Sequence, residues 1–278
     1  MSRVEQSGHL KKMSTTLEAP VRYELVFDTG TLPINPAEQP SIRLEYTGQI
    51  SCIHCGRITN KSFSQGYCYP CFKALPECDT CIMSPEKCHY DEGTCRDAAW
   101  GESYCMTPHF VYLANSSGVK VGITRENQIP TRWMDQGAIQ AMAVCKVATR
   151  KLSGLVEAIL RQHVTDRTRW QAMLKGDVEH LDMKAEWITL YDKVRDEIDE
   201  LKTQYGDDAI EVIAKPEPID IEFPVEEHPT KVKSFNLDKT ATITGVLKGI
   251  KGQYLILDTG VINIRKFTGY EVTAILSD

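Results

Sequence analysis

Apolar and polar positions alternate over two stretches of the first 50 residues. VRYELVF (21–27) and SIRLEYTGQI (41–50) put a hydrophobic side chain at nearly every second position, the period of a strand with one buried face. Thr29 and Gly30, with Pro33, Pro36 and Pro40, break the pattern between them and predict a loop. Across residues 51–106 neither period is sustained. Alternation returns at HFVYLA (109–114), suited to a buried strand, and at VKVGIT (119–124). Asn115, Ser116, Ser117 and Gly118 lie between the two, so together they predict a hairpin. Behind Pro130, TRWMDQGA (131–138) predicts a short helix and AMAVCKVA (141–148) a third strand. Residues 151–164 then predict a helix with Leu152, Leu155, Val156, Ile159 and Leu160 along one face.

Residues 177–204 predict a longer acidic helix, whose stripe of Leu181, Trp187, Ile188, Tyr191, Val194, Ile198 and Leu201 suits packing against a core or a neighbouring unit. Prolines and acids crowd residues 215–230, the composition of a linker. TATITGVLK, QYLILD, GVINIRK and YEVTAIL follow, separated by glycines, as the short strands of a small sheet or barrel. Chain ends often lie close together, so these strands can complete a sheet with the N-terminal ones. The expected fold class is α+β. Its parts are N-terminal strands (1–50), a zinc-ribbon-like cysteine-rich module (51–106), a small mixed unit (107–175), an acidic amphipathic helix (176–214), a linker (215–234) and a β-rich segment (235–278) that forms a small domain with the other chain end.

A chain of 278 residues with 42 % hydrophobic content can bury sizeable cores, so its ten cysteines are not needed as staples. No apolar run approaches the roughly 20 residues of a membrane helix, and the N-terminus lacks the apolar stretch of a secretory signal. A cytoplasmic location without membrane association is therefore expected. In a reducing compartment, paired cysteines point to metal ligation rather than disulfides. The net charge of −6 hides an asymmetry: residues 107–175 carry 10 basic and 4 acidic side chains, whereas residues 176–230 carry 5 and 17. The basic block suits phosphates and the acidic one does not.

Cys52-x2-Cys55 and Cys68-x2-Cys71 are two knuckles, each able to place two thiolates on one ion. Together they complete a tetrahedron with bonds of roughly 2.3 Å, and Gly56 and Gly66 permit the turns this requires. A second set, Cys78, Cys81, Cys88 and Cys95, is less regular; His89 or Cys105 could replace one of its thiolates, and an iron–sulfur cluster is an alternative occupant. One or two zinc ions are expected. Four thiolates leave no coordination position for water or substrate, so the expected role is structural. Cys145 falls in a strand and is expected in the core.

The segment HFVYLANSSGVKVGIT resembles the GIY-YIG nuclease superfamily, whose core is a hairpin carrying two short motifs, a helix bearing an arginine, and a later helix bearing a metal-binding glutamate. Phe110-Val111-Tyr112 stands at the first motif and Lys120-Val121-Gly122 at the second, with lysine in place of its tyrosine. Arg132 matches the arginine and Glu157 the glutamate. The resemblance implies that Tyr112, Lys120, Arg132 and Glu157 form one site, with magnesium or manganese held at Glu157. The chain as a whole resembles an uncharacterised bacterial family that pairs a cysteine-rich zinc region with such a segment. GYCYPC, CHYDEGTCRD, KVGITR, RWMDQGA and GIKGQYLILDTGVINIRK carry that likeness.

Phosphodiester hydrolysis needs a positioned water, cations for the developing charge and a Lewis acid. Tyr112 could act as base or position the water, Arg132 could grip a phosphate through its planar fork, and Lys120 could add charge. Arg125, Arg167 and Arg169 are the expected further contacts to DNA or RNA. Each residue also has an ordinary alternative: a packed strand tyrosine, a surface arginine, a solvated helix glutamate. The expected function is a metal-dependent endonuclease with structural zinc. The alternative is a non-catalytic zinc protein that binds nucleic acid or docks a protein partner.

Overall fold

The computed structural model describes residues 3–164 and 169–277. The chain begins with β1 (Arg3–His9), β2 (Ser14–Thr16), β3 (Arg22–Val26), β4 (Thr31–Ile34) and β5 (Ser41–Ile50). In β3, Tyr23 and Leu25 point inward, as the alternation predicts. β4 falls inside the stretch expected as a loop. Its Pro33 faces outward on the edge of the β2-β3-β4 sheet, where a missing N–H breaks no ladder.

The helices of the cysteine-rich stretch are short: α1 (Tyr69–Ala74), α2 (Thr80–Met83) and α3 (Ala98–Tyr104), with one 3-10 turn between the first two and two between the last two. Next come β6 (His109–Asn115), β7 (Val119–Arg125), α4 (Thr131–Asp135), β8 (Gln140–Val147) and α5 (Arg150–Leu160). Gly118, at φ +117°, and the Asn115 side chain, which accepts from its N–H at 3.3 Å, close the hairpin. The Thr149 hydroxyl caps α5 by accepting from Leu152 N.

α6 (Trp170–Lys175) precedes α7 (Met183–Tyr205). The long helix begins at 183 because the Asp182 carboxylate caps it, accepting from Lys184 N and Ala185 N. Residues 215–234 do more than link: after β9 (Ile210–Val212), β10 (Ile219–Asp220) pairs with β8, and Ile221 is buried. The chain ends with β11 (Thr242–Lys251), β12 (Tyr254–Leu257), β13 (Gly260–Asn263) and β14 (Tyr270–Ser277).

The two chain ends share one six-stranded sheet in the order β1-β14-β5-β11-β12-β13. The middle sheet runs β10-β8-β6-β7, with β9 also on β8. One face of this middle sheet (Val111, Leu113, Val121, Val144) packs under α5 and α7. The opposite face, with Tyr112 and Ala114, joins Trp133 and Met134 of α4 in the core that continues into the chain-end sheet. Among the described residues, no helix is long and apolar enough to cross a membrane.

Candidate functional site

Cys52 follows the end of β5, and its carbonyl accepts from Gly56 N at 2.9 Å to close the first knuckle. Gly56, at φ +71°, permits the turn. Cys68 and Cys71 sit on the first turn of α1. The sulfurs of Cys52, Cys55, Cys68 and Cys71 all lie within 4.8 Å of one another, and Cys55 Sγ and Cys68 Sγ are 3.7 Å apart. A tetrahedron with zinc–sulfur bonds of roughly 2.3 Å has edges of about 3.8 Å, so this donor set fits zinc.

The electrostatics point the same way. Burial opposes ionisation of Cys52, but hydrogen bonds from the backbones of Cys55, Cys68 and His54 outweigh it and bring the thiol down to about 6. Cys71 is pushed up, by desolvation first and then by the thiols of Cys68, Cys55 and Cys52. Thiols this close cannot all ionise unless a cation joins them, and a cation is what the site is shaped to hold. His54 is exposed and stands outside the ligand group.

The second expected ligand set is placed differently. Cys78 belongs to neither group of ligand atoms lying within 4.8 Å of one another; its buried thiol lies by Ser64 and feels Cys52. Cys81 feels Cys88, Cys105 and Cys95 instead. Asp79, Cys81 and His89 form a tighter triplet, within 4.8 Å.

Tyr112, Lys120, Arg132 and Glu157 line one cavity of about 550 Å³. Tyr112 pairs with Gly122 across the hairpin, and Ala114 with Lys120, so the tyrosine, Gly122 and the lysine share one face. A Cβ at position 122 would stand 2.6 Å from Tyr112 Oη, so the glycine gives the ring its place. Tyr112 is fully buried, and its hydroxyl donates to Gln136 Oε1 at 3.0 Å. Burial raises its pKa, while the Arg132 guanidinium, hydrogen-bonded to the same oxygen, pulls the other way. The phenol therefore keeps its proton near neutrality. Lys120 is only 7 % exposed. Burial, and then the charge of Arg132, lowers it to about 8.

Three parts of the chain build the walls. Lys12 and Arg265 come from the chain-end unit, Ile82, Met83 and Pro85 from the cysteine-rich module, and Arg125, Arg150 and Arg161 from the middle unit. Lysines and arginines thus dominate the lining, against two carboxylates, Asp135 and Glu157. Asp135 is already committed: it takes Lys12 Nζ at 2.7 Å and Gln253 Nε2 at 2.9 Å. Such a hollow attracts anions of phosphate size.

Of the expected nucleic-acid contacts, Arg125 lies in the cavity wall and over the Tyr104 ring, 4.5 Å from its centroid. Arg169 is exposed at the start of α6, outside the cavity lining, with its backbone N bonded to Ser117 Oγ. Arg167 lies outside the described residues. The sequence reading missed Arg150 and Arg161. Both lie on the face of α5 that carries Glu157, at spacings of seven and four residues, so helical periodicity could have found them. Lys12 and Arg265 carry no local signal, since only docking of the chain-end sheet brings them here.

Compared with known proteins, residues 40–272 match a family described as "Protein of unknown function (DUF2797)". No curated protein and no solved structure matches the chain.

Proposed function

Because the chain belongs to that family, whose description assigns no reaction, we propose from the cavity itself that the protein is a nucleic-acid phosphodiesterase with structural zinc. One observation carries this reading: Tyr112, Lys120, Arg132 and Glu157, from a hairpin and two helices, line a single hollow rich in cations. The likeness of the hairpin motifs to GIY-YIG nucleases supports it.

Hydrolysis adds a water oxygen to phosphorus while the bridging P–O bond breaks, and the departing alkoxide takes a proton. Arg132 and Lys120 face the oxygens on which negative charge grows. Lys120, at about 8, lies near enough to neutrality to give the leaving group its proton. Tyr112, held protonated by burial, positions rather than accepts a proton. Glu157 is the cavity carboxylate contributed by α5, and a single carboxylate suits a magnesium or manganese ion that would take its remaining ligands from phosphate and water. Such an ion would supply Lewis-acid stabilisation of the same charge.

A second reading, binding without cleavage, is favoured by the Tyr112 hydroxyl, which is already engaged by both Gln136 and Arg132. Cleavage of single- and double-stranded DNA and RNA with magnesium or manganese separates the two. Wild type should cut, and Glu157→Ala should lose at least about two orders of magnitude in rate. Equal rates in both would remove Glu157 from the chemistry. Salt-dependent binding with no cutting would leave the binding reading, since phosphate contacts release counterions.

A further inference from the structure

A second hollow, of about 450 Å³, shares no lining residue with the cationic cavity. The stretch around β10, the link between α6 and α7, and the end of β11 meet there. Ile139, Ile221, Phe223 and Val225 make much of its lining apolar. Lys251, the last residue of β11, also lines it and is only 3 % exposed. We infer that this hollow binds a small carboxylate with one negative charge and an apolar body, and that the Lys251 ammonium is its counter-ion.

The fold clamps this lysine in place. Lys251 pairs with Tyr254 across the β11–β12 hairpin, whose turn passes through Gly252 at φ +62°. That turn packs on the end of α4: a Cβ at Gly252 would stand 3.1 Å from Asp135 O, and one at Gly137 would stand 3.4 Å from Lys251 Cγ. The Lys251 Nζ lies 5.6 Å from the centroid of the Phe223 ring, which lines the hollow, and among the described residues no oxygen accepts a hydrogen bond from it. Burial alone acts on the amine and lowers it to about 8, so it still carries its proton at neutrality. An ammonium withdrawn from water without a counter-charge is costly, and buried cations are normally paired. The neighbouring Gln253 shows the usual outcome. Equally buried, it accepts from Met13 N at 2.8 Å and donates to Met13 O at 3.1 Å and Asp135 Oδ1 at 2.9 Å.

The other polar groups of the lining set the charge of the ligand. His228 donates from Nδ1 to Leu174 O at 2.8 Å; a carbonyl only accepts, so Nδ1 holds the proton and Nε2 is an acceptor in the neutral ring. Asp220 and Glu222 are exposed, farther out than the buried ammonium, and Asp220 Oδ1 lies 3.4 Å from His180 Nδ1. The hollow thus offers one inner cation and two outer carboxylates. A phosphate dianion or a nucleic-acid backbone would bring more negative charge than Lys251 offsets, and Asp220 and Glu222 would repel it. A monocarboxylate brings one charge for one charge-assisted bond, and its apolar body is removed from water against Ile139, Ile221 and Phe223.

Titration calorimetry of the full chain with sodium benzoate tests this, with benzyl alcohol as the uncharged counterpart. Benzoate should bind saturably, and the alcohol at least about tenfold more weakly. No saturable benzoate binding, or equal affinity for the alcohol, would overturn the proposal. Lys251→Met keeps an apolar stem and removes the charge, so benzoate should bind at least about tenfold more weakly. The urea midpoint of that variant should hold or rise, because an unpaired buried ammonium is gone; a fall would show that the ammonium serves the fold instead. In the wild-type chain, benzoate should slow acetylation of Lys251 by acetic anhydride about tenfold, read by peptide mass spectrometry, and inorganic phosphate should not. Shielding by phosphate would refute the single charge. Shielding of Lys120 in place of Lys251, or loss of benzoate binding in Lys120→Met but not in Lys251→Met, would move the anion to the cationic cavity and sink the assignment.

Discussion

Gly122→Ala is the sharpest test of how the hairpin holds the tyrosine. In an ordinary strand, replacing glycine by alanine stabilises by roughly 0.5–1 kcal/mol, because glycine has more freedom to lose on folding. Here the new methyl would stand 2.6 Å from Tyr112 Oη, 2.7 Å from Cζ and 3.0 Å from Cε2. The ring cannot simply retreat. It is fully buried, lies edge-on to Trp133 at 5.9 Å, and its hydroxyl is bonded to Gln136. Overpacking of this kind costs about 1–3 kcal/mol, and losing the bond to Gln136 adds about 1 kcal/mol. After the strand gain is subtracted, the variant should be less stable by about 1–3 kcal/mol, the opposite sign from an unencumbered strand glycine. Urea unfolding at unchanged m reads the difference as a shift of midpoint. Tyr112→Phe in the same background removes the nearest contact, so the two changes should be less than additive by about 0.5 kcal/mol or more. A neutral or stabilised Gly122→Ala, or strict additivity of the pair, would show that the ring does not occupy the space opposite the glycine.

Three other outcomes are expected. Cys68→Ala should lower zinc content and unfold the cysteine-rich module, since ligation contributes roughly 10 kcal/mol or more in small zinc domains; zinc unchanged by elemental analysis would contradict the first site. Affinity for a labelled oligonucleotide should be full below about 8 and fall by up to tenfold per pH unit above it, as Lys120 loses its proton; Lys120→Arg should remove the step, and a wild-type curve flat through that range would dissociate the lysine from anion binding. His109, lowered to about 4 by burial and by the charges of Arg150 and Arg125, is neutral in the folded chain but takes a proton near its ordinary value of 6.5 when unfolded. Stability should therefore be complete above 6.5 and decline by about 3 kcal/mol as pH falls toward 4, and His109→Gln should flatten that limb of the unfolding curve.

What the sequence reveals follows the reach of each signal. Strand alternation and helical stripes are local, and the segments VRYELVF, HFVYLA, VKVGIT and AMAVCKVA all lie on strands close to their expected limits. Period-two alternation at Ile219, Ile221 and Phe223 is equally local, yet the surrounding prolines and acids mask it, and the stretch looks like a linker although it carries β10. The knuckle spacing places the first four cysteines together because two residues between ligands fix a turn. Spacing has no such power for Cys78, which belongs by number to the second set and lies by position next to Ser64. Cys105, ten residues beyond Cys95, feels Cys88 and Cys95 although no spacing in the sequence ties it to them.

The cavity marks the same boundary in another way. Tyr112, Lys120, Arg132 and Glu157 come from one continuous stretch of about 45 residues, so a motif can bring them to notice. Arg125, Arg150 and Arg161 belong to that same segment or its helix end, whereas Lys12 and Arg265 come from wherever docking places them. Lys12 reaches the site through Asp135, and Arg265 through a short turn pinned by its bond to Gln65 at 2.6 Å. That bond joins the cysteine-rich module to the chain-end sheet, as does Ser51 N to Gly269 O at 2.8 Å. Like charges gathered in one hollow repel, and Arg265 and Lys120 are each held below their usual range, by burial first and then by Arg132. Evenly matched surfaces would not keep so many cations together for packing alone. Their persistence in one hollow requires either an anion that relieves them or a scaffold rigid enough to impose them. Three units fastened to one another by packing and backbone bonds supply the rigidity, and the relief is what a phosphate would bring on binding.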